Sequence, residues 1–182
     1  MINQLSRWNS FSAVCLLGCL FTVAGCGYST RSLLPGTIKT IHIDHFKNKI
    51  TYAVENRRNL YIPLLEVKVR NAVIDRFLFN GRLRVEDSET ADLVLKGSLL
   101  GYERDVLRYT DNNDPLEYRI RIIISMELWD TEKEKTLWAE PSFSGEATFF
   151  VSGAQAKSES TALEDALVDL ARRIVERTIE DW

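Results

Sequence analysis

The stretch from Tyr118 to Leu128 constrains the fold more than any other part of the chain, because apolar and polar side chains alternate along it. Its apolar register consists of Tyr118, Ile120, Ile122, Ile124, Met126 and Leu128. Its other register consists of Glu117, Arg119, Arg121, Ile123, Ser125 and Glu127. A period of two predicts a β-strand with one buried face. The chain must therefore supply a second layer that covers this face.

The C-terminal segment is predicted to be one helix of that layer. Its apolar residues follow the helical period from Leu163 to Ile179 without a gap. Thr161 and Glu164 have the spacing of a capping box, so we expect the helix to begin there. The preceding residues, 152–160, have the composition of a surface connection.

A second helix is expected from about Pro63 to Leu78, with Asn80-Gly81 as its stop. One apolar stripe of this helix consists of Leu65, Val69, Ala72, Val73 and Phe77. A second apolar side consists of Leu64, Val67, Ile74 and Leu78. We expect this second side to be buried between the sheet and the C-terminal helix. Contact with another protein is the alternative.

Further strands are predicted at 38–43, 82–85, 93–104 and 137–151. The first two flank the second helix closely, which favours parallel pairing through a crossover. Pro141 in the last strand indicates an edge position or a bulge. The predicted fold is α+β, with two helices on one face of a mixed parallel and antiparallel sheet of four to five strands.

The N-terminus has the order of an export signal. Arg7 precedes an apolar stretch of about 14 residues, shorter than the about 20 that a spanning helix needs. The stretch ends in Val23-Ala24-Gly25-Cys26, which is typical of a lipobox. We therefore expect cleavage after residue 25, lipidation of Cys26, a tether over 26–36 and one domain over 37–182. Gly27, in place of an aspartate, favours the outer membrane, with the domain on its periplasmic side.

No pattern of catalytic, metal or cofactor chemistry stands out. The two histidines, His42 and His45, flank Asp44, whereas a zinc site needs three or four convergent ligands. There is no phosphate-binding glycine loop and no nucleophile elbow. The formal net charge of −3 does not favour a nucleic acid partner. We therefore expect a protein that is not an enzyme.

A basic surface is the most suggestive candidate site. We expect Lys96, Arg104, Arg119 and Arg121 to lie on the outward face of two neighbouring strands, with Arg108 joining them from the loop. Such a cluster suits a phosphorylated amphipathic ligand. The alternative is a solvated face on which the arginines pair with Glu103 or Glu146.

Three stretches in order resemble the LptE family of lipopolysaccharide-assembly lipoproteins. They are Cys26-Gly27-Tyr28 with Leu34-Pro35-Gly36; Asn80-Gly81-Arg82-Leu83-Arg84-Val85 with Ala91-Asp92-Leu93-Val94-Leu95-Lys96-Gly97; and Glu117-Tyr118-Arg119-Ile120 with Leu137-Trp138-Ala139-Glu140 and the closing Glu180-Asp181-Trp182. The middle stretch alone is also similar to secretion lipoproteins of the CsgG type and to LpoB-like regulators of peptidoglycan synthases.

The resemblance implies a plug and assembly factor of the outer-membrane barrel LptD that binds lipopolysaccharide on its way to the outer leaflet. It also implies basic lipid-contacting residues around the strand–loop–strand unit that here contains Arg104, Arg108, Arg119 and Arg121. The alternative is a periplasmic regulator or secretion component of related fold.

Overall fold

The structure, a computed structural model, describes residues 37–51 and 60–179. Its elements are β1 (Thr40–Ile43), β2 (Lys47–Asn48), α1 (Leu65–Asn80), β3 (Arg84–Val85), β4 (Leu93–Tyr109), β5 (Pro115–Asp130), β6 (Lys135–Phe150) and α2 (Glu159–Ile179). The fold is α+β, as predicted. It has six strands and not four to five, because β2 forms a short additional strand along β4. The predicted signal, Cys26, the tether and residues 180–182 lie outside the described residues.

The sheet is mixed, with the strand order β3-β1-β4-β5-β6 and β2 paired with β4. β1 runs parallel to both β3 and β4, which confirms the pairing expected for the first two predicted strands. β4, β5 and β6 form a long antiparallel meander. Pro141 lies in the edge strand β6 next to a register shift against β5, so both of its expected features are present.

The apolar register of β5 faces the two helices. Ile120, Ile122, Ile124 and Leu128 are fully buried in this layer, and α2 contributes Ala166, Leu170 and Ile174 to the same core. The opposite side of the sheet, called the back face below, carries the second register of β5. The alternation that predicted the strand therefore separates core from surface from Arg119 to Leu128, whereas at its start Glu117 is buried and Tyr118 is half-buried.

Both helices run antiparallel to the strands beside them. Along α1, Glu66 binds Asn48 of β2, and Arg70 donates to the carbonyl of Ile43 at the end of β1. Along α2, Arg173 donates to the carbonyl of Ser144 and Arg177 binds Glu140. Because β1 and β6 point the same way in the sheet, α1 and α2 lie parallel to each other. Lys68 and Glu164 form an ion pair between them.

The predicted end of α1 is confirmed, and the predicted start of α2 is wrong. Gly81 ends α1 with φ 71° and donates its N–H to Phe77 O, as the Asn80-Gly81 signal predicted. The predicted cap at Thr161 is wrong. The helix begins at Glu159, and the Ser158 hydroxyl accepts the N–H of Thr161 at 3.1 Å. Three hydroxyl residues, Ser158, Ser160 and Thr161, offer possible caps, and the first of them is used.

Asp92 fixes the start of the parallel pairing. Its carboxylate accepts the backbone N–H groups of Lys39 at 2.8 Å and Thr40 at 2.9 Å, while its own N–H donates to the Thr40 hydroxyl at 2.8 Å. The hydrogen bond from Lys39, more than any other contact, holds the pKa of Asp92 below its usual value. This reciprocal set aligns the beginning of β4 with β1.

The outward edge of β6 is occupied at three backbone groups by α2 and by the chain that leads into it. Arg173 donates to Ser144 O, and the N–H of Glu146 donates to the Asp169 carboxylate at 3.1 Å. Further along, Phe150 O accepts the N–H of Lys157 at 3.1 Å. These groups would otherwise be open to another strand.

Candidate functional site

The predicted basic residues do not form one cluster. A register shift between Leu99 and Gly101 of β4 moves the residues after it to the opposite face. Arg104 therefore lies on the helix side, where it forms an ion pair with Glu159 at 2.6 Å and stacks over Tyr118. The expectation that Arg104 shares the outward face with Arg119 and Arg121 is wrong. A single-residue bulge carries no clear signal in the sequence.

Tyr102 lies beside Arg104 on the same side of the sheet. Its side chain is fully buried, and its hydroxyl donates to Glu159 at 3.1 Å. Burial, with the charge of Glu159, raises the pKa of Tyr102 well above its usual value. Tyr102, Arg104 and Glu159 thus attach the first turn of α2 to the sheet, which is a structural role.

Lys96 lies on the back face but far along the sheet from the arginines. Its ammonium pairs with Glu127 at 3.7 Å and lies 4.8 Å from the centre of the Trp129 ring. In the pairing of β4 with β5, Lys96 lies opposite Glu127, and Arg121 lies opposite Glu103. Positions 121 and 127 are six residues apart on β5, so Arg121 and Lys96 are separated by about 20 Å along the sheet. Lys96 lines a shallow cleft of about 370 Å³ together with His45, Lys47, Lys49, Glu127 and Glu140.

The other three predicted residues do share the back face. Arg108, Arg119 and Arg121 lie on consecutive rungs toward the β4–β5 turn, and are called the arginine row below. Arg121 faces Glu103 and Glu146, Arg119 lies between Asp105 and Thr148, and Arg108 pairs with Glu117. All three residues of the row therefore lie on strands of the sheet, and Arg108 is not in the loop where it was expected.

Carboxylates accompany the arginine row, as the alternative interpretation expected. Arg121 binds Glu103 at 3.2 Å and Glu146 at 3.7 Å, and Arg108 binds Glu117 at 3.0 Å. Arg119 differs: its Nε is buried and has no hydrogen-bond partner among residues 37–51 and 60–179. A ligand cannot reach this buried atom directly, but no carboxylate of the described residues forms an ion pair with the Arg119 guanidinium group, which leaves its terminal nitrogens for an added acceptor. Arg119 is thus the member of the row best suited to contact an anionic ligand.

The second apolar side of α1 faces outward. Leu64 is 66% exposed, Val67 43% and Leu78 62%, while Ile74 is half-buried. The expected burial of this side between the sheet and α2 is wrong for the three exposed residues, because Leu65, Val69, Val73 and Phe77 already fill the contact with the sheet. Contact with another protein stays as a prediction.

Each histidine has a hydrogen bond, His42 through its ring and His45 through its backbone N–H. His42 Nδ1 lies 3.0 Å from Glu86 O, and Asp44 accepts the N–H of His45 at 2.7 Å. Within the described part of the chain, no group of three or more metal-ligating side chains comes together. Neither α1 nor α2 is long and apolar enough to cross a membrane, a finding that covers only the described residues.

Several solved structures share this fold at low sequence identity. A Xanthomonas campestris protein of the family DUF330 matches with a TM-score of 0.57 and 12% identity, over 82% of this chain and 88% of that one. Lipoprotein B from Nitrosomonas europaea matches with a TM-score of 0.52 and 12% identity, over 80% and 84%. A PelC dodecamer from Paraburkholderia phytofirmans matches with a TM-score of 0.50 and 12% identity, over 82% and 96%. At such identity the similarity shows the fold alone.

Sequence comparison is more specific. No curated protein matches the chain. The family model for lipopolysaccharide assembly, LptE, matches residues 38–178, from the residue before Lys39 to the last turn of α2. The match includes every described strand and both helices, as well as the arginine row and the outward side of α1. The chain therefore belongs to the LptE family of lipopolysaccharide-assembly proteins.

Proposed function

We propose that this protein is an outer-membrane lipoprotein that plugs and helps to assemble an LptD-like barrel and binds lipopolysaccharide during its delivery. The family match over residues 38–178 carries the proposal. The lipid on Cys26 would hold the domain at the periplasmic side of the membrane, as two or more acyl chains give stable anchoring. The role is a binding role and requires no catalytic group or cofactor.

The outward surfaces support such a role. A plug needs a surface that a second protein can cover, and Leu64, Val67 and Leu78 expose apolar area on one side of α1. An anionic glycolipid needs cations with planar donors, and the arginine row supplies three guanidinium groups on one face. Within the row we assign the main lipid contact to Arg119, with Arg121 and Arg108 exchanging carboxylate partners for phosphate. Lys96 and Arg104 lie outside this contact.

Isolation of the native complex tests the function. The full chain with a C-terminal affinity tag, expressed in its own bacterium, should co-purify with an outer-membrane barrel of the LptD type. Its depletion should reduce lipopolysaccharide at the cell surface. Recovery of a peptidoglycan synthase in place of the barrel, with normal surface lipopolysaccharide after depletion, would support the regulator alternative and refute the proposal.

The lipid anchor has its own test. Cys26→Ser, exported through a cleavable signal that does not direct lipidation, should leave the domain folded but release it from the membrane fraction. Retention of this variant in the membrane in the absence of the barrel would show that Cys26 does not provide the anchor.

A further inference from the structure

Two large apolar side chains are exposed in the last turn of α1. Phe79 is 81% exposed and Leu78 is 62% exposed, whereas Phe77 beside them is fully buried in the core. Leu78 and Phe79 are called the apolar pair below. Single exposed apolar residues are common on protein surfaces, so the position of this pair in the domain decides what it contacts.

The apolar pair lies at the end of the domain where the chain arrives from the expected lipid anchor. α1 ends at Asn80, and the chain turns at Gly81 toward β3. Arg84 of β3 donates its N–H to Lys39 O at 2.9 Å, and Lys39 follows closely on Thr37, the first described residue. The last turn of α1 and the point where the chain enters the domain therefore lie at the same end, beside the start of β1.

The expected tether keeps this end near the bilayer. Residues 26–36 reach at most about 40 Å even when fully extended. β5 alone is about 50 Å long from Pro115 to Asp130. Asp130 pairs with Leu93 beside the start of β1, and Pro115 lies at the opposite end of the sheet. Of the two ends, the one with the apolar pair is therefore the end that a lipid on Cys26 keeps nearest to the membrane.

Arginines accompany the apolar pair. The guanidinium carbon of Arg76 lies 5.3 Å from the centre of the Phe79 ring. Its Nε is buried and has no hydrogen-bond partner in the described part of the chain, where Arg76 also forms no ion pair. Arg82 is exposed in the turn after the helix. Apolar side chains with arginines at their border suit the interface of a bilayer, because the arginines can stay with the phosphates while the apolar groups reach the acyl chains.

We propose that Leu78 and Phe79 form a membrane-contact surface, which enters the phospholipid bilayer at the level where phosphates meet acyl chains, with Arg76 and Arg82 bound to phosphates. The contact would add a second point of attachment to the lipid on Cys26, and two points fix the orientation of the domain on the membrane. The inference rests on the lipidation in the proposed function, but it does not require the barrel.

The charges at this end are mixed, so the contact is weak without the anchor. Glu86 pairs with Arg84 at 3.7 Å, and Asp87 and Glu89 follow in the same connection. The apolar pair must then supply most of the attraction, and two side chains bury far less apolar surface than an acyl chain does. The contact therefore forms while the acyl chains hold the domain at the bilayer, which agrees with the release expected of the Cys26→Ser chain from the membrane fraction.

Quenching of a fluorescent label tests the contact in the anchored protein. Cys26 is the only cysteine after residue 25 and its sulfur is acylated, so Phe79→Cys can be labelled alone with bimane. The lipidated full chain is placed in vesicles of phosphatidylethanolamine and phosphatidylglycerol that carry nitroxide groups on their acyl chains. The label at 79 should be quenched and its emission shifted to shorter wavelength. Leu64→Cys, at an exposed site before the other end of α1, is the matched control and should stay unquenched. Equal quenching at both sites, or at neither, would overturn the proposal.

Vesicle binding by the unlipidated chain measures the surface without the anchor. At high lipid concentration the Cys26→Ser chain should partition onto the same vesicles, and Phe79→Ala should lower its partition coefficient by about tenfold. Val67→Ala removes an exposed apolar side chain near the start of α1 and should have little effect. Equal partition of Phe79→Ala and its parent, or no partition of the parent, would overturn the proposal. Because neither measurement contains a barrel, failure of the barrel pull-down would refute only the proposed function.

Discussion

Gly145 of β6 lies directly beneath Leu170 of α2, with no side chain between the two backbones. A β-carbon built on Gly145 would lie 2.5 Å from both the nitrogen and the Cα of Leu170. Such a separation is far below van der Waals contact, so only glycine allows the helix to approach the strand this closely. The approach is also what lets Asp169 and Arg173, on either side of Leu170, reach the edge of β6.

Gly145→Ala should therefore destabilise the domain. The added methyl meets backbone and not a flexible side chain, so α2 must move, and overpacking of this kind costs about 1–3 kcal/mol. Chemical denaturation of the variant against the unmodified chain measures the cost. Ser144→Ala is the matched control on the same strand and should change the free energy of unfolding by little. Equal stabilities of Gly145→Ala and the unmodified chain would contradict the close approach.

Gly97 and Phe46 should show energetic coupling. A β-carbon on Gly97 would lie 2.5 Å from Phe46 Cδ1 and 2.7 Å from Cζ, because the buried ring packs flat on the strand. Gly97→Ala alone should cost about 1–3 kcal/mol of unfolding free energy. On a Phe46→Ala background the same change should cost much less, because the ring is gone. A double-mutant cycle measures the difference, and additive costs would exclude the contact.

Asp92→Asn should reduce stability at neutral pH by about 1–2 kcal/mol, because both backbone N–H groups donate to one oxygen of Asp92, and a neutral amide oxygen accepts them less strongly than a carboxylate oxygen does. The pKa of Asp92 is lowered in the folded state from its usual 3.8. Its stabilisation is therefore fully present above that value and is lost as the pH falls through the lower folded-state pKa. The difference between variant and unmodified chain should shrink in acid.

Urea denaturation at pH 7 and below pH 3 measures this dependence. Asp44→Asn is the control, because the Asp44 side chain accepts its hydrogen bond from the adjacent residue His45 and does not join two strands. A difference for Asp92→Asn that is constant over this pH range would show that the charge of the carboxylate does not contribute.

The arginine row can be separated from the other predicted cations. Replacing Arg108, Arg119 and Arg121 together by glutamine should weaken lipopolysaccharide binding by about tenfold or more, as charge-assisted hydrogen bonds to phosphate are lost. Arg119→Gln alone should cause the largest single loss. Binding of purified lipopolysaccharide to the full chain in detergent, measured by fluorescence titration, gives the affinities.

Two controls make this result specific. Arg84→Gln removes an exposed cation of β3 that pairs with Glu86, and should leave binding unchanged. Arg104→Gln should lower stability, because the ion pair with Glu159 is lost. It should not lower the affinity of the folded protein for lipopolysaccharide. If Arg104→Gln reduces affinity while the triple variant does not, the lipid contact belongs to the helix side of the hairpin.

Sequence reasoning captured what periodicity encodes. The alternation from Tyr118 to Leu128 predicted which face of β5 is buried, and the stripe Leu65, Val69, Val73 and Phe77 predicted the core side of α1. The shift after Leu99 was not predicted, because Leu99-Leu100-Gly101-Tyr102 has apolar residues or glycine in both registers, so the extra residue of the bulge leaves no visible break in the alternation. It separated Arg104 from Arg119 and Arg121.

The outward side of α1 shows a second limit. A helix with two apolar sides can be buried between two layers of its own domain, or it can leave one side exposed for contact with another protein. Residue spacing alone does not show which elements pack against a helix. Because α2 packs beside α1 and does not cover its outward side, Leu64, Val67 and Leu78 are exposed. Arg119 and Arg121 were correctly assigned to the back face, and the alternative that arginines pair with Glu103 or Glu146 holds for Arg121, whereas Arg108 was expected in the loop and lies in β4.

The covered edge of β6 has a consequence for assembly beside other β-proteins. Ser144, Glu146 and Phe150 direct backbone groups away from the sheet, and Arg173, Asp169 and Lys157 occupy them. A barrel closes when its own first and last strands pair. A free strand edge nearby could pair with either of these strands instead. A chain proposed to sit within a closing barrel thus carries a sheet edge that is blocked at these three positions, so its contacts with the wall there must be made by side chains.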